Sequence, residues 1–129
     1  MSKHRMRDVM TDAPYTIASN QKLSAAHQMM TKHGLRHLPV LRDGKLIGIL
    51  TQRDLYFIER MAGVDRENDV IEDAMSPDVY ATTLDAKVRD VAKTMADHRY
   101  GCAVIIDNNE VKGIFTTTDA LRHLADVLS

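Results

Sequence analysis

The chain has 129 residues, 44% hydrophobic and 27% charged, the profile of a globular domain with enough apolar side chains to fill a core. Seventeen Lys and Arg against eighteen Asp and Glu leave a net charge of −1, which excludes the global basic field that would hold nucleic acid or an anionic membrane. The longest apolar run, Cys102–Ile106, falls far short of the ~20 residues of a membrane-spanning helix, MSKHRMRDVM lacks the apolar stretch of a signal peptide, and a single cysteine fits a reducing cytosol, so a cytoplasmic location is expected.

In chain order, a short extended piece (Tyr15-Thr16-Ile17-Ala18) is followed by a helix with Leu23, Ala26 and Met30 on one face. Two runs dense in aliphatic residues come next, Leu38–Leu41 and Leu46–Leu50, around Arg42-Asp43-Gly44-Lys45, whose Asp-Gly pair signals a hairpin. A helix starts after Thr51, and a connecting segment lies near residues 63–68. The order then repeats: Val79-Tyr80-Ala81-Thr82, a helix carrying Val88, Val91, Ala92 and Met95, and strands Ala103–Ile106 and Val111–Phe115 around Asp107-Asn108-Asn109-Glu110. A last helix follows Thr116.

Sliding the sequence against itself by 65 residues makes the duplication explicit. Asp8-Val9-Met10-Thr11 falls on Asp73-Ala74-Met75-Ser76, Tyr15 on Tyr80, Met30 on Met95, His33 on His98, and Gly48-Ile49-Leu50-Thr51 on Gly113-Ile114-Phe115-Thr116. The predicted fold is α+β: two β-α-β-β-α repeats, residues 7–64 and 65–129, packed sheet to sheet with pseudo-two-fold symmetry, since a unit of about 60 residues is marginal alone. Leu55-Tyr56-Phe57-Ile58 and Met61 put apolar groups on more than one helix face, which predicts a homodimer seam.

These residues resemble a pair of CBS domains (the cystathionine β-synthase type), often called a Bateman module. The resemblance rests on the paired Asp-x-Met-Thr/Ser segments, on His33-Gly34-Leu35-Arg36-His37-Leu38-Pro39-Val40 with Gly48–Asp54, and on Arg99–Ile105 with Gly113–Asp119. It covers about Arg7 to Leu124 and implies regulation rather than catalysis. No cofactor is obligatory. The implied ligand is an adenosine nucleotide (AMP, ADP or ATP) or S-adenosylmethionine, bound in clefts between the copies. With the chain ending at Ser129, the output is expected through a separate protein target or a change in self-association.

The Thr-x-x-Asp elements, Thr51/Asp54 and Thr116/Asp119, have two readings that can coexist. Each is a capping box before a helix. Each could also serve a nucleotide, with the helix start facing phosphate and the aspartate accepting from vicinal ribose hydroxyls. By position, the resemblance implicates Thr16, Ile17, Arg36, His37 and Leu38 in one adenine site and Ala81, Thr82, Gly101, Cys102 and Ala103 in the other. Copy one has Pro39 where copy two has Val104, so it follows the family pattern more closely, although Thr116, Thr117 and Thr118 offer hydroxyls to a phosphate. Arg36, Arg53 and Arg122 are candidate phosphate cations.

No metal is expected: Gly34 and a turn separate His33 from His37, and no cysteine pair or His-Glu-x-x-His exists. Cys102 reads as a small buried hydrophobe, Met30 and Met95 as packing residues, and Gly48 and Gly113 as points of close backbone approach or a strand kink. The glycines form no nucleotide-fold or P-loop motif and no Gly-x-Ser-x-Gly occurs, so a non-enzymatic protein is expected. Lys3, His4, Arg5 and Arg7 read as a solvated terminus rather than a nucleic-acid contact. The rival to a nucleotide sensor is a ligand-free interaction module, in which Phe57 and Ile58 matter more than Asp54.

Overall fold

The computed structural model describes residues 4–129, so Lys3 lies outside the described residues. Among the described residues the fold is α+β, with five α-helices and two sheets. No helix among the described residues is long and apolar enough to cross a membrane.

One compact unit is Tyr15–Val79. Its sheet has the order β2-β3-β4, from Ile17–Ala18, His37–Arg42 and Lys45–Thr51. β2 runs parallel to β3, while β3 and β4 form the expected hairpin, turning at Asp43 and Gly44 with φ of 52° and 79°. Two positive φ values in succession make the turn whose twist matches paired strands. Helix α2, Leu23–His33, lays Leu23, Ala26 and Met30 on the sheet and ends at Gly34 with φ 65°. Helix α3, Gln52–Glu59, contributes Leu55 to the same core and leaves Phe57 70% exposed.

The other unit joins residues 4–14 to Tyr80–Ser129. Its sheet has the order β1-β7-β6-β5, from Thr11–Asp12, Glu110–Thr116, Cys102–Asp107 and Ala81–Thr82. Helix α4, Val88–His98, buries Val88, Val91 and Met95, whereas Ala92 is only half-buried. The turn at Asn108 and Asn109 has φ of 51° and 65°, the same handedness as the first hairpin. Helix α5, Thr117–Leu128, has no buried residue.

The compact units are offset from the sequence repeats because the segments that lead into each copy cross over. Helix α1, Met6–Val9, and β1 belong to copy one of the sequence but pack on copy two, where Met6 is fully buried beside Val91, Ala103 and Phe115. Its counterpart 65 residues on, Ile71 in a short 3-10 turn (Ile71–Asp73), is fully buried in the copy-one core with Leu23, Leu38 and Leu50. Burial of such a side chain contributes about 1.5–3 kcal/mol. The backbone repeats the exchange: Arg5 bridges Lys87 and Val70 bridges Lys22, while Thr11 pairs with Ile114 and Ser76 with Ile49.

The exchange explains the strand glycines. A Cβ on Gly48 would sit 2.6 Å from the Ser76 carbonyl oxygen and 2.7 Å from the Met75 sulfur, and one on Gly113 would strike the Met10 sulfur. The close approach expected at both positions is therefore made by the Met-Thr and Met-Ser steps of the leading segments.

Candidate functional site

In the unit Tyr15–Val79, the copy-one candidates gather at one end of the sheet. Parallel pairing sets Ile17 opposite Val40, so Thr16 and Ile17 lie beside the middle of β3. His37 pairs with Thr51, the last residue of β4, and the Gln52 N–H donates to the Arg36 carbonyl at 2.9 Å as the chain enters α3. Ile17 and Leu38 are buried, Thr16, His37, Thr51 and Asp54 are half-buried, and Arg36 and Arg53 are exposed. Burial, helped by the charge of Arg36, holds the His37 imidazole below its ordinary value, which favours the neutral ring.

The copy-two corner repeats this backbone. Ala81 lies opposite Val104, Cys102 pairs with Thr116, and the Thr117 N–H donates to the Gly101 carbonyl at 3.1 Å. Cys102 and Ala103 are buried, Thr82, Gly101, Thr116 and Asp119 are half-buried, and Ala81, Thr117 and Thr118 are exposed. Burial pushes the Cys102 thiol up to about 12, the behaviour of an inert core sulfur.

Both threonines cap their helices, as the capping reading expects. The Asp54 N–H donates to Thr51 Oγ1 at 3.1 Å, and the Asp119 N–H to Thr116 Oγ1 at 3.2 Å. The carboxylates differ. Asp119 receives the Thr116 N–H at 3.0 Å and the Thr116 hydroxyl at 3.2 Å, closing a full capping box. The Thr11 hydroxyl and the Arg122 guanidinium add further bonds at 3.4 Å. The Asp54 carboxylate accepts no hydrogen bond and forms no ion pair among the described residues. The counterpart of Thr11, Ser76, instead accepts the Asp78 N–H at 3.2 Å.

The copy-two candidates also open onto different surfaces. Gly101 and Thr117 line a groove of 430 Å³ with Tyr100 and Leu121. Asp119 opens onto another of 620 Å³, which it shares with Asp8, Asp126, Arg122, His4 and His123.

Aromatic residues beside both corners went unread in the sequence. Tyr15 stacks on His33 with ring centroids 4.0 Å apart, while Tyr80 and His98 both pack against Tyr100. The signal was present, since the repeat superimposes Tyr15 on Tyr80 and His33 on His98. His27 pairs with Glu59 at 3.2 Å, and Arg66 holds the same carboxylate at 3.0 Å. Among the described residues no three His, Cys, Asp or Glu side chains gather as a metal site.

Comparison with known proteins agrees with this architecture. The family model described as CBS domain matches residues 6–58 and 71–126. CBS domain-containing protein YhcV of Bacillus subtilis (strain 168) is 30% identical over 114 residues, covering 88% of this chain and 81% of the relative. Hypoxic response protein 1 of Mycobacterium tuberculosis (strain CDC 1551 / Oshkosh) is 27% identical over 121 residues, 93% of this chain and 85% of that protein. The crystal structure of Hypoxic Response Protein I with two coordinated zinc ions superimposes with a TM-score of 0.81 at 27% identity, covering 92% of this chain and 98% of that one. The CBS domain pair of protein MJ0100, in complex with 5′-methylthioadenosine and S-adenosyl-L-methionine, gives a TM-score of 0.83 at 27% identity over 95% of this chain and 96% of that one. The chain belongs to the CBS-domain family, as a tandem pair of CBS repeats.

Proposed function

We propose that this protein is a regulatory sensor of an adenosine ligand: AMP, ADP, ATP or S-adenosylmethionine. The observation that carries the reading is the copy-one corner. There an uncommitted carboxylate, Asp54, stands at a helix start beside Arg53, the Arg36 backbone and the neutral ring of His37. A carboxylate with free lone pairs can accept from both vicinal ribose hydroxyls, the helix start offers N–H groups to a phosphate, and the arginines supply charge. The adenosine ligands of the MJ0100 pair support the same class. Thr16, Ile17, Arg36, His37, Leu38, Thr51, Arg53 and Asp54 form the proposed site.

The protein acts by differential affinity: the ligand favours one arrangement, which a separate target reads, and the shift is as large as that preference. It works as a homodimer in the cytosol, a reading supported by the exposed apolar faces of α3 and α5 and by the lone cysteine.

A thermal-shift panel of AMP, ADP, ATP, S-adenosylmethionine, NAD and GMP, with 2′-deoxy-AMP as control, tests the sensor. A ligand at one hundred times its Kd adds about 2.7 kcal/mol of stability. A rise in Tm with an adenosine ligand, weaker for the deoxy form, supports the reading. No rise at millimolar concentrations rejects it in favour of a constitutive interaction module. That second reading has its own support in α5, whose Leu121, Leu124 and Val127 stand at least half exposed along an apolar groove of 740 Å³ shared with α4.

A further inference from the structure

We infer that the two copies are not equivalent sites: copy one takes the nucleotide, copy two is closed, and each chain therefore binds one adenosine nucleotide. This rests on the sensor reading above and assigns its stoichiometry and its location.

The first argument is the state of the two aspartates. A carboxylate has about four acceptor positions. Asp119 already receives the Thr116 N–H at 3.0 Å and hydroxyl at 3.2 Å, with the Thr11 hydroxyl and the Arg122 guanidinium at a longer 3.4 Å. Its side chain is only 11% exposed. A ribose would have to displace these donors, two of which hold the first turn of α5. Asp54 surrenders nothing on binding, because its own N–H, not its carboxylate, makes the cap.

Charge provides the second argument. Position by position, copy one carries the cations Arg36 and Arg53 where copy two carries Gly101 and Thr118, while Arg99 lines the copy-two groove beside Gly101. The groove onto which Asp119 opens adds Asp8 and Asp126, so three carboxylates stand there with His4, His123 and one guanidinium, already engaged by Asp119. That surplus of carboxylates disfavours a nucleotide phosphate there, and the Thr117 hydroxyl opens onto the other groove.

The lock depends on the exchange of leading segments. Thr11 reaches Asp119 because β1 pairs with β7. Its counterpart Ser76 also lies against the opposite sheet, but its hydroxyl accepts the Asp78 N–H and makes no bond to Asp54.

Titration calorimetry of the full chain with AMP, ADP, ATP and S-adenosylmethionine in parallel tests the assignment. The expected result is one equivalent per chain. Asp54→Asn, which keeps the capping N–H, weakens binding about ten-fold or more, the worth of hydrogen bonds to a charged group. Asp119→Asn leaves affinity within about two-fold, because no ligand hydrogen bond is removed there. Two equivalents per chain, or an Asp119→Asn loss as large as that of Asp54→Asn, overturns the inference while leaving the sensor reading intact. Absence of binding by all four compounds rejects the sensor reading and the inference with it. Photolabelling of the unmodified protein with 8-azido-AMP needs no variant to fold. Labelled peptides that include residues 15–79 support the assignment, and labelling confined to residues 80–129 overturns it.

Discussion

The two copies agree where they hold the backbone and part where they could hold a ligand. Met6 and Ile71, separated by the repeat interval of 65, are each fully buried in the core of the other copy's strands and helix. Met10 and Met75 each sit on a strand glycine. At the hairpin-to-helix corners the backbone is again the same, yet the pairs Arg36/Gly101, His37/Cys102 and Arg53/Thr118 share no chemistry. The leading segments can change little without opening a core or losing a close approach. The exposed corner side chains, Arg36, Arg53 and Thr118, carry no such packing load and are free to specialise.

If the scaffold half of this comparison holds, Met6→Ala and Ile71→Ala should be the most damaging changes and should damage alike. Each empties a fully buried position, with an expected loss of about 2–5 kcal/mol from burial and cavity together. Chemical denaturation of the two variants measures it. A loss below about 1 kcal/mol for either, outside the range for such truncations, would mean that its leading segment is not part of the core it occupies.

The glycines sharpen the comparison, with a smaller expected loss of about 1–3 kcal/mol for an alanine at either position. Gly48→Ala is expected to be the worse. Its Cβ meets the Ser76 carbonyl, which is backbone and bonded to the Ile49 N–H at 2.9 Å. At Gly113 the first obstacle is the Met10 sulfur, the mobile part of a side chain, with the Thr11 carbonyl at 3.0 Å. Adding Met10→Ala should therefore recover part of the stability of Gly113→Ala, and Met75→Ala should not rescue Gly48→Ala. Equal rescue in thermal melts would show that the two contacts are the same.

Most of the fold was legible because periodicity writes it down: the stripe Leu23, Ala26, Met30, the Asp-Gly turn and the doubled order of elements all appear in the structure. The leading segments were not legible. Helix α1 and β1 have four and two residues, too few to show a period, and β1 finds its partner at Ile114, about a hundred residues away. Gly48 and Gly113 announced that something comes close but not what. At the candidate site, Thr-x-x-Asp read identically in both copies. The difference between Asp54 and Asp119 lies partly inside the motif, where only Asp119 receives the N–H and hydroxyl of its threonine, and partly in Thr11 and Arg122, which stand outside it.

The smallest effect concerns acid. Burial first, and Arg36 second, lower the affinity of the His37 ring for a proton in the folded state. The unfolded chain protonates this histidine near its ordinary value of about 6.5. Below that pH the unfolded state binds more protons than the folded one, so stability falls as the pH is lowered through and beneath it. The corresponding copy-two side chain, Cys102, with its thiol pushed up to about 12, carries no charge in that range. This contribution to acid sensitivity therefore resides in copy one. Replacing His37 with Gln removes the proton site, and Tm measured from pH 7.5 down to pH 5 should then fall less steeply than in the unmodified protein. Identical slopes would mean that His37 takes up its proton in the fold as readily as in water, and that its ring is as open to solvent as the exposed Arg36 beside it.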